Sequence, residues 1–252
     1  MKLKPYISRA DGSSKGDWDV GEITQLLEDG TYYQLMDYIT SINIACGGHA
    51  GDYNFMKAMI RMGIEKNVNI GAHPSYPDKE NFGRKIMVME PPDIMETVMK
   101  QIEDLFEIAV AEKTALHHVK PHGALYNQAA KSSTIAQAIG LAVKQIDPQL
   151  TIVGLSDSIM IDTWEDMGLN VTGEAFADRN YEADGSLRDR KFDNALITNP
   201  AQAAKQAKMI TNDGKIISVD GNTISINAQT ICIHSDTPNA LAIAKAVKNI
   251  GY

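Results

Sequence analysis

Along most of the chain, short apolar runs alternate with longer stretches whose apolar positions recur every three or four residues. This is the pattern of strands interleaved with amphipathic helices. Strand-like runs fall at residues 37–45 (DYITSINIA), 67–72 (NVNIGA), 116–119 (LHHV), 151–155 (TIVGL), 170–177 (NVTGEAFA) and 229–233 (QTICI). A first strand is expected over 2–8 (KLKPYIS), although Pro5 cannot donate to a central ladder. Residues 9–29 are polar, Gly-dotted and rich in carboxylates, so they read as a long loop ending in a short helix over 22–27.

The helical stretches carry their own start signals. Met56, Met59, Ile60 and Ile64 keep helical spacing behind a cap from Asp52 or Asn54. Pro91 and Pro92 open a helix whose Ile94, Val98, Ile102, Leu105, Phe106 and Ala109 form one apolar stripe. Further helices are predicted over 133–146, over 159–167, from Asn199-Pro200 and from Thr237-Pro238 to the end. A hairpin is expected from 215–219 and 223–227 around Asp220-Gly221-Asn222. Seven strands alternating with helices predict α/β architecture with parallel units, and no linker divides them, so a single domain over 1–252 is expected.

Composition narrows the function classes. An apolar content of 44% supports a full core, and 24 Lys+Arg against 32 Asp+Glu gives a net charge of −8. No basic field is available for nucleic acid or anionic membranes. The chain has neither a signal-like apolar start nor the ~18-residue apolar run of a membrane span, so a cytoplasmic protein is expected. Cys46 and Cys232 each sit in a strand-like run, which suits reduced thiols rather than a disulfide framework.

The chemistry lies at the strand ends. In a closed parallel barrel these ends converge on one mouth. That rule gathers His49 and Asp52, His73 and Asp78, His118, Lys120 and His122, Glu174, Asp178 and Arg179, and His234 and Asp236. All six histidines lie at or beside strand ends, which points to an enzyme site. The alternative is a buried polar network that only pins loops. The turn HVKPHGALYN adds Tyr126 and Asn127 to Lys120 and His122 on a Pro/Gly frame. His49, His73, His122 and His234 could ligate a divalent metal, with sulfur from Cys46 or Cys232, but no HExxH or CxxC spacing selects a set. Lys120 could stabilise an oxyanion, bind a substrate carboxylate or pair with a neighbouring Asp. Arg179 could grip a carboxylate or pair with Asp178. No phosphate-cradling Walker sequence is present.

The blocks SINIACGGHAGD, IGAHPSYPD with FGRK, HVKPHGALYN, EAFADRNYEADGSL and ICIHSDTP, in this order, resemble the LamB/YcsF family. The resemblance implies a distorted seven-stranded β/α barrel similar to the glycoside hydrolase/deacetylase group. It also implies a 5-oxoprolinase activity, the ATP-dependent cleavage of the 5-oxo-L-proline lactam to L-glutamate, in a complex with subunits B and C that share the handling of ATP. A homo-oligomer is compatible with it. On this basis His49 or His73, oriented by Asp52, is the expected base, Lys120 with His122 stabilises negative charge on oxygen, and Asp178 joins the catalytic group. Arg179 is the expected carboxylate anchor, with Tyr126, Asn127, Glu174, His234 and Asp236 in the substrate pocket. The competing expectations are a metal-dependent deacetylase or carbohydrate amidohydrolase on the same barrel, and a non-catalytic paralogue binding a related amide.

The family's opening strand carries a DLNxDxGE-like acidic motif, where this chain has YISRADGSSKGDWDVGE. With Ser8 at the Asn and Ser13 at the Glu, the first-strand acids are missing or displaced, and Asp11, Asp17 or Asp19 would have to substitute. Gly48 also replaces a usual Phe, Tyr53 a Pro and Ser235 a Gly.

Overall fold

The computed structural model describes residues 16–250 and begins with β1 (Gly16–Val20). Its side chains alternate between two faces, with Trp18 and Val20 packed into the apolar core and Asp17 and Asp19 turned toward Asn43 and Lys120. The chain continues through α1 (Thr24–Glu28), α2 (Thr31–Leu35) and a 3-10 turn at Met36–Tyr38 to β2 (Ser41–Ala45), α3 (Tyr53–Glu65) and β3 (Asn69–His73). Next come α4 (Pro91–Ala111), β4 (His118–Val119), α5 (Gly123–Ala129), α6 (Ser133–Ile146), β5 (Thr151–Leu155), α7 (Ile159–Asp166) and β6 (Asn170–Phe176). The last part holds α8 (Pro200–Asp213), the antiparallel hairpin of β7 (Lys215–Ile217) and β8 (Thr223–Ser225), β9 (Thr230–His234) and α9 (Ala240–Lys248).

Seven parallel strands close into a barrel in the order β1-β2-β3-β4-β5-β6-β9, with β1 pairing β2 on one side and β9 on the other. The parallel α/β architecture expected from the alternation and the seven-stranded barrel implied by the resemblance are the observed fold. Local signals account for its helices. Asp52 accepts from Phe55 N at 2.9 Å to cap α3, prolines open α4 and α8, and Asn199 accepts from the first amides of α8.

Three elements differ from the sequence reading. The strand expected over 2–8 lies outside the described residues, and the strand that closes the barrel is β1, within the stretch read as a loop. Its acidic alternate positions resemble a solvated segment, yet they face a buried lysine. The strand expected over 37–45 is confined to Ser41–Ala45, because Met36–Tyr38 winds into the 3-10 turn. The short helix α5, not anticipated, follows directly from the HVKPH turn.

The apolar core lies between the barrel's outer face and the helices, where Trp18, Ile42, Ile70 and Ile152 meet residues such as Met59, Val98, Ile139 and Ile243. Inside the barrel the filling is polar, from Asp17, Asn43, His118, Lys120, Glu174 and Thr230, all buried. A barrel interior is normally filled with branched apolar side chains, so this one holds its charges at a cost that its hydrogen bonds must offset. Among the described residues, no helix is long and apolar enough to cross a membrane.

Candidate active site

Two layers of polar groups fill the C-terminal half of the barrel. In the deeper one, Lys120 Nζ lies 3.2 Å from Asp17 Oδ1, 3.0 Å from Asp19 Oδ1 and 2.9 Å from Cys232 Sγ. It is also 2.8 Å from Glu174 Oε2, an ion pair without hydrogen-bond alignment. Burial favours a neutral Lys120, but the two aspartates outweigh it and hold the ammonium well above its ordinary range. Asn43 Nδ2 donates to Asp17 Oδ1 at 2.9 Å and to Asp19 Oδ1 at 2.8 Å, and Thr230 Oγ1 donates to Asp17 Oδ2 at 2.9 Å.

The mouth layer is built on the ends of β1, β2, β3, β4 and β9. Glu22 Oε1 is 3.1 Å from His49 Nε2, 3.4 Å from His122 Nδ1 and 3.9 Å from His73 Nε2. His73 Nε2 and His122 Nδ1 face each other at 3.0 Å, and Asp19 Oδ2 is 3.5 Å from His73 Nε2. The backs of these rings are pinned. His73 Nδ1 donates to Lys120 O at 2.7 Å and His122 Nε2 donates to Phe82 O at 3.0 Å, because a carbonyl oxygen can only accept. The second contact depends on Gly123, at φ +57°, where a Cβ would lie 2.5 Å from Gly83 O. That close approach brings the Phe82 carbonyl over His122. The His49 and His122 rings stack with centroids 3.7 Å apart.

Electrostatics separates the rings. Burial, helped by His49 and His73, pushes His122 well below the usual imidazole range. His73 is buried too, but the Asp19 carboxylate outweighs burial and raises it. Burial acts against an ionised Asp19, yet His73 and Lys120 overcome it and keep the carboxyl well below its ordinary value.

Above this layer opens a cleft of about 500 Å3, floored by Asp19, His73, Lys120, His122 and His234 and walled in part by Arg179. His234 Nδ1 lies 3.1 Å from both oxygens of the buried Asp178, which also accepts from His234 N and from Thr237 Oγ1. Asp178 therefore orients His234 and leaves Nε2 toward the cleft, 3.9 Å from Asp19 Oδ2. Arg179 donates through Nη2 to Arg188 O at 2.6 Å, while its buried Nε has no protein partner among the described residues. Burial brings this guanidinium down to about 10.

The expected site residues thus divide. His49, His73, Lys120 and His122 converge, with His234 and its partner Asp178 beside them, and Tyr126, Asn127 and Arg179 line the cleft. Asp52, expected to orient His49, is instead exposed at the N-cap of α3, and Glu22 holds His49. Glu174 is buried beneath the cleft against Lys120, and Asp236 is engaged at the rim by Arg84 and, at 2.9 Å, by Arg190. Neither one lines the cleft.

Sequence reading offered Asp17 and Asp19 only as substitutes for displaced acids, beside Asp11, and missed Glu22 and Asn43. Two of the first-strand acids are in place and one is replaced. Laid over residues 15–22, the family's acidic motif puts Lys15 at the first Asp, Asp17 at the Asn, Asp19 at the second Asp and Glu22 at the Glu. Period-two alternation in DWDV followed by Gly-Glu is the signal that marks it.

A parallel β/α barrel with imidazoles, carboxylates and a lysine gathered at the C-terminal mouth has the arrangement of barrel enzymes. The LamB/YcsF family profile matches residues 17–250, and the chain belongs to that family. It is 47% identical to the A subunit of 5-oxoprolinase from Chloroflexus aggregans over 231 residues, 92% of each chain. It is 44% identical to the protein of the same name from Shouchella clausii over 230 residues, 91% of each. The crystal structure of the lactam utilization protein from Thermus thermophilus superposes with a TM-score of 0.86 at 36% identity, covering 94% of this chain and 95% of that one.

Proposed function

We propose that this chain is the A subunit of a 5-oxoprolinase and provides the site where the lactam of 5-oxo-L-proline is opened to L-glutamate. The observation that carries this reading is the convergence of Asp19, His73, His122 and the Asp178-held His234 on one cleft with Arg179 at its wall. The relatives that bear the name of the 5-oxoprolinase A subunit cover nine-tenths of the chain and support it.

Lactam opening adds water across an amide. The water oxygen bonds to the ring carbonyl carbon, the C–N bond breaks, and the nitrogen leaves with a proton. An unstrained amide resists this, so coupling to ATP through subunits B and C supplies the drive: the γ-phosphoryl passes to the amide oxygen as ADP leaves, water adds to the activated carbon, the C–N bond breaks to leave an acyl phosphate, and a second water releases phosphate and the free carboxylate. The Glu22, His73 and His122 group positions and deprotonates the water. His234, held by Asp178 through Nδ1, carries a proton on Nε2 to the departing nitrogen. Arg179 receives the substrate carboxylate on its unpartnered Nε–H side. The buried Lys120 fixes Asp19 from below and stays out of the chemistry.

The test is glutamate release from 5-oxoproline with ATP and cognate subunits B and C. Turnover should require all three subunits and fall about 10²-fold or more in His234→Gln, with Asp178→Asn intermediate. Unchanged turnover in both variants would overturn the assignment. The cluster of Glu22 with three histidines favours a second reading, a metal-dependent amidohydrolase, which ATP-independent hydrolysis of an acetylated sugar would establish instead.

A further inference from the structure

We infer that Glu22, His73 and His122, with His49 as fourth ligand, form a binding site for one divalent transition-metal ion of the zinc class. The inference rests on hydrogen positions that the surroundings dictate. His73 Nδ1 and His122 Nε2 both point at backbone carbonyls, so both must carry hydrogen. In neutral rings the nitrogens that remain, His73 Nε2 and His122 Nδ1, are then bare lone pairs, and the fold holds them 3.0 Å apart. A carboxylate oxygen, Glu22 Oε1, completes the triangle at 3.4 and 3.9 Å. Lone pairs and an anion crowded together in a buried site demand a cation between them.

The spacing suits a metal. Four ligands at the 2.0–2.1 Å typical of zinc–nitrogen and zinc–oxygen bonds stand about 3.3–3.4 Å from one another in a tetrahedron. The observed separations of 3.0, 3.1, 3.4 and 3.9 Å bracket that value, and one ligand atom from each of the four residues falls within 4.8 Å of the others. Three imidazoles and one carboxylate select a first-row transition metal over magnesium or calcium. The carbonyls behind His73 and His122 are the outer partners that fix tautomer and ring orientation in metal-bound histidines. His49 is the adaptable member: its Nε2–H donates to Glu22 Oε1, and its buried Nδ1, without a partner among the described residues, takes over the hydrogen when Nε2 ligates.

A neighbouring cluster sharpens the contrast. Asp17, Asp19 and Cys232 also converge closely enough to ligate a metal, but Lys120 Nζ already sits among them as their cation. Around Glu22, His49, His73 and His122, no lysine or arginine takes that place among the described residues. The site adjoins the cleft floor, so an ion that released His49 would take a water in its place and acidify it, which is how this group would deprotonate the water of the proposed reaction. The inference concerns the same site as the proposed function but is read out without turnover.

The test is metal content and binding in the full chain. Protein purified without an immobilised-metal column should carry about one equivalent of metal by elemental analysis. After chelation it should take up one Zn2+ by calorimetry, and Co2+ should give the visible ligand-field bands of a tetrahedral site. His73→Gln, His122→Gln and Glu22→Gln should each weaken Zn2+ binding at least tenfold while circular dichroism remains that of the wild type. Should any variant fail to fold, the wild-type stoichiometry and the Co2+ spectrum still decide. Wild-type protein that is metal-free and silent to Zn2+ and Co2+ would overturn the inference and leave one shared proton between His73 and His122 as the cation. Zn2+ binding that survives in the His73→Gln/His122→Gln double variant would overturn it too. A zinc site without glutamate release would uphold this inference and remove the 5-oxoprolinase reading, so the two fail separately.

Discussion

Glu174 is the carboxyl for which the buried layer has too few cations. Lys120 is shared with Asp17 and Asp19, which Asn43 and Thr230 also serve with donated hydrogens, whereas Glu174 has only the unaligned ion pair. Burial therefore pushes Glu174 up to about 8 against the pull of Lys120. His118 sets the proton order beside it. Burial takes that ring down to about 3, so it is neutral; with its Nε2–H donated to Asn43 Oδ1 at 2.6 Å, both amide hydrogens of Asn43 are left for the aspartates. The Glu174 shift has a sign that stability measurements can read. An acid raised from 4.5 to about 8 by folding leaves its full stability in place below pH 4.5, and loses it as pH climbs toward 8, because only the unfolded chain releases the proton. Glu174→Gln keeps the shape without titrating. Relative to wild type it should therefore gain on the order of a few kcal/mol between pH 5 and pH 8 in urea unfolding. Parallel pH profiles for the two proteins would refute the protonated-carboxyl account.

At the scale of elements, what could be read from the sequence was what is decided locally. The Pro91-Pro92 pair, the Asn199-Pro200 start and apolar stripes mark α4, α6 and α8, and β5 coincides with its predicted 151–155 because its apolar run has sharp polar bounds. The histidines of the cleft were visible because they cluster at strand ends. What escaped depends on distant partners. β1 reads as a loop until Lys120, more than a hundred residues away, is known to neutralise its acids. Asp52 looks like a partner for His49 because only two residues separate them, but the turn sends it to cap α3 while Glu22 arrives from β1. The β3–β4 contact shows the same dependence. Gly71 pairs in register with His118, and a Cβ on it would lie 2.2 Å from His118 Nε2, inside the ring's space. Gly71→Ala should cost about 1–3 kcal/mol in denaturant unfolding and displace His118 from Asn43. A fully stable variant whose His118 imidazole resonance keeps its wild-type NMR shift would show that the barrel interior has slack this account denies.

Across the whole molecule, Lys120 joins parts of the barrel that backbone pairing alone does not bring together. It leaves the end of β4 and crosses the interior to Asp17 and Asp19 on β1, Glu174 on β6 and Cys232 on β9, the strands that flank the seam where first and last strands meet. Its removal leaves ionised carboxylates with no cation in a buried site, a change that typically costs about 3–5 kcal/mol. Lys120→Met should therefore be strongly destabilised near neutral pH. The loss should shrink as pH falls toward 4, since carboxyls without their cation are raised by folding, and stability lost above the ordinary aspartate range returns on protonation. The penalty should also be shared. In an Asp17→Asn background, Lys120→Met should cost less by about 1 kcal/mol or more, because residues in one charge network are not additive. A double-mutant cycle in urea at pH 5 and pH 8 measures both effects. Equal costs in the two backgrounds, with no pH dependence, would mean that Lys120 is held by packing alone and that the charged floor beneath the cleft does not organise the barrel.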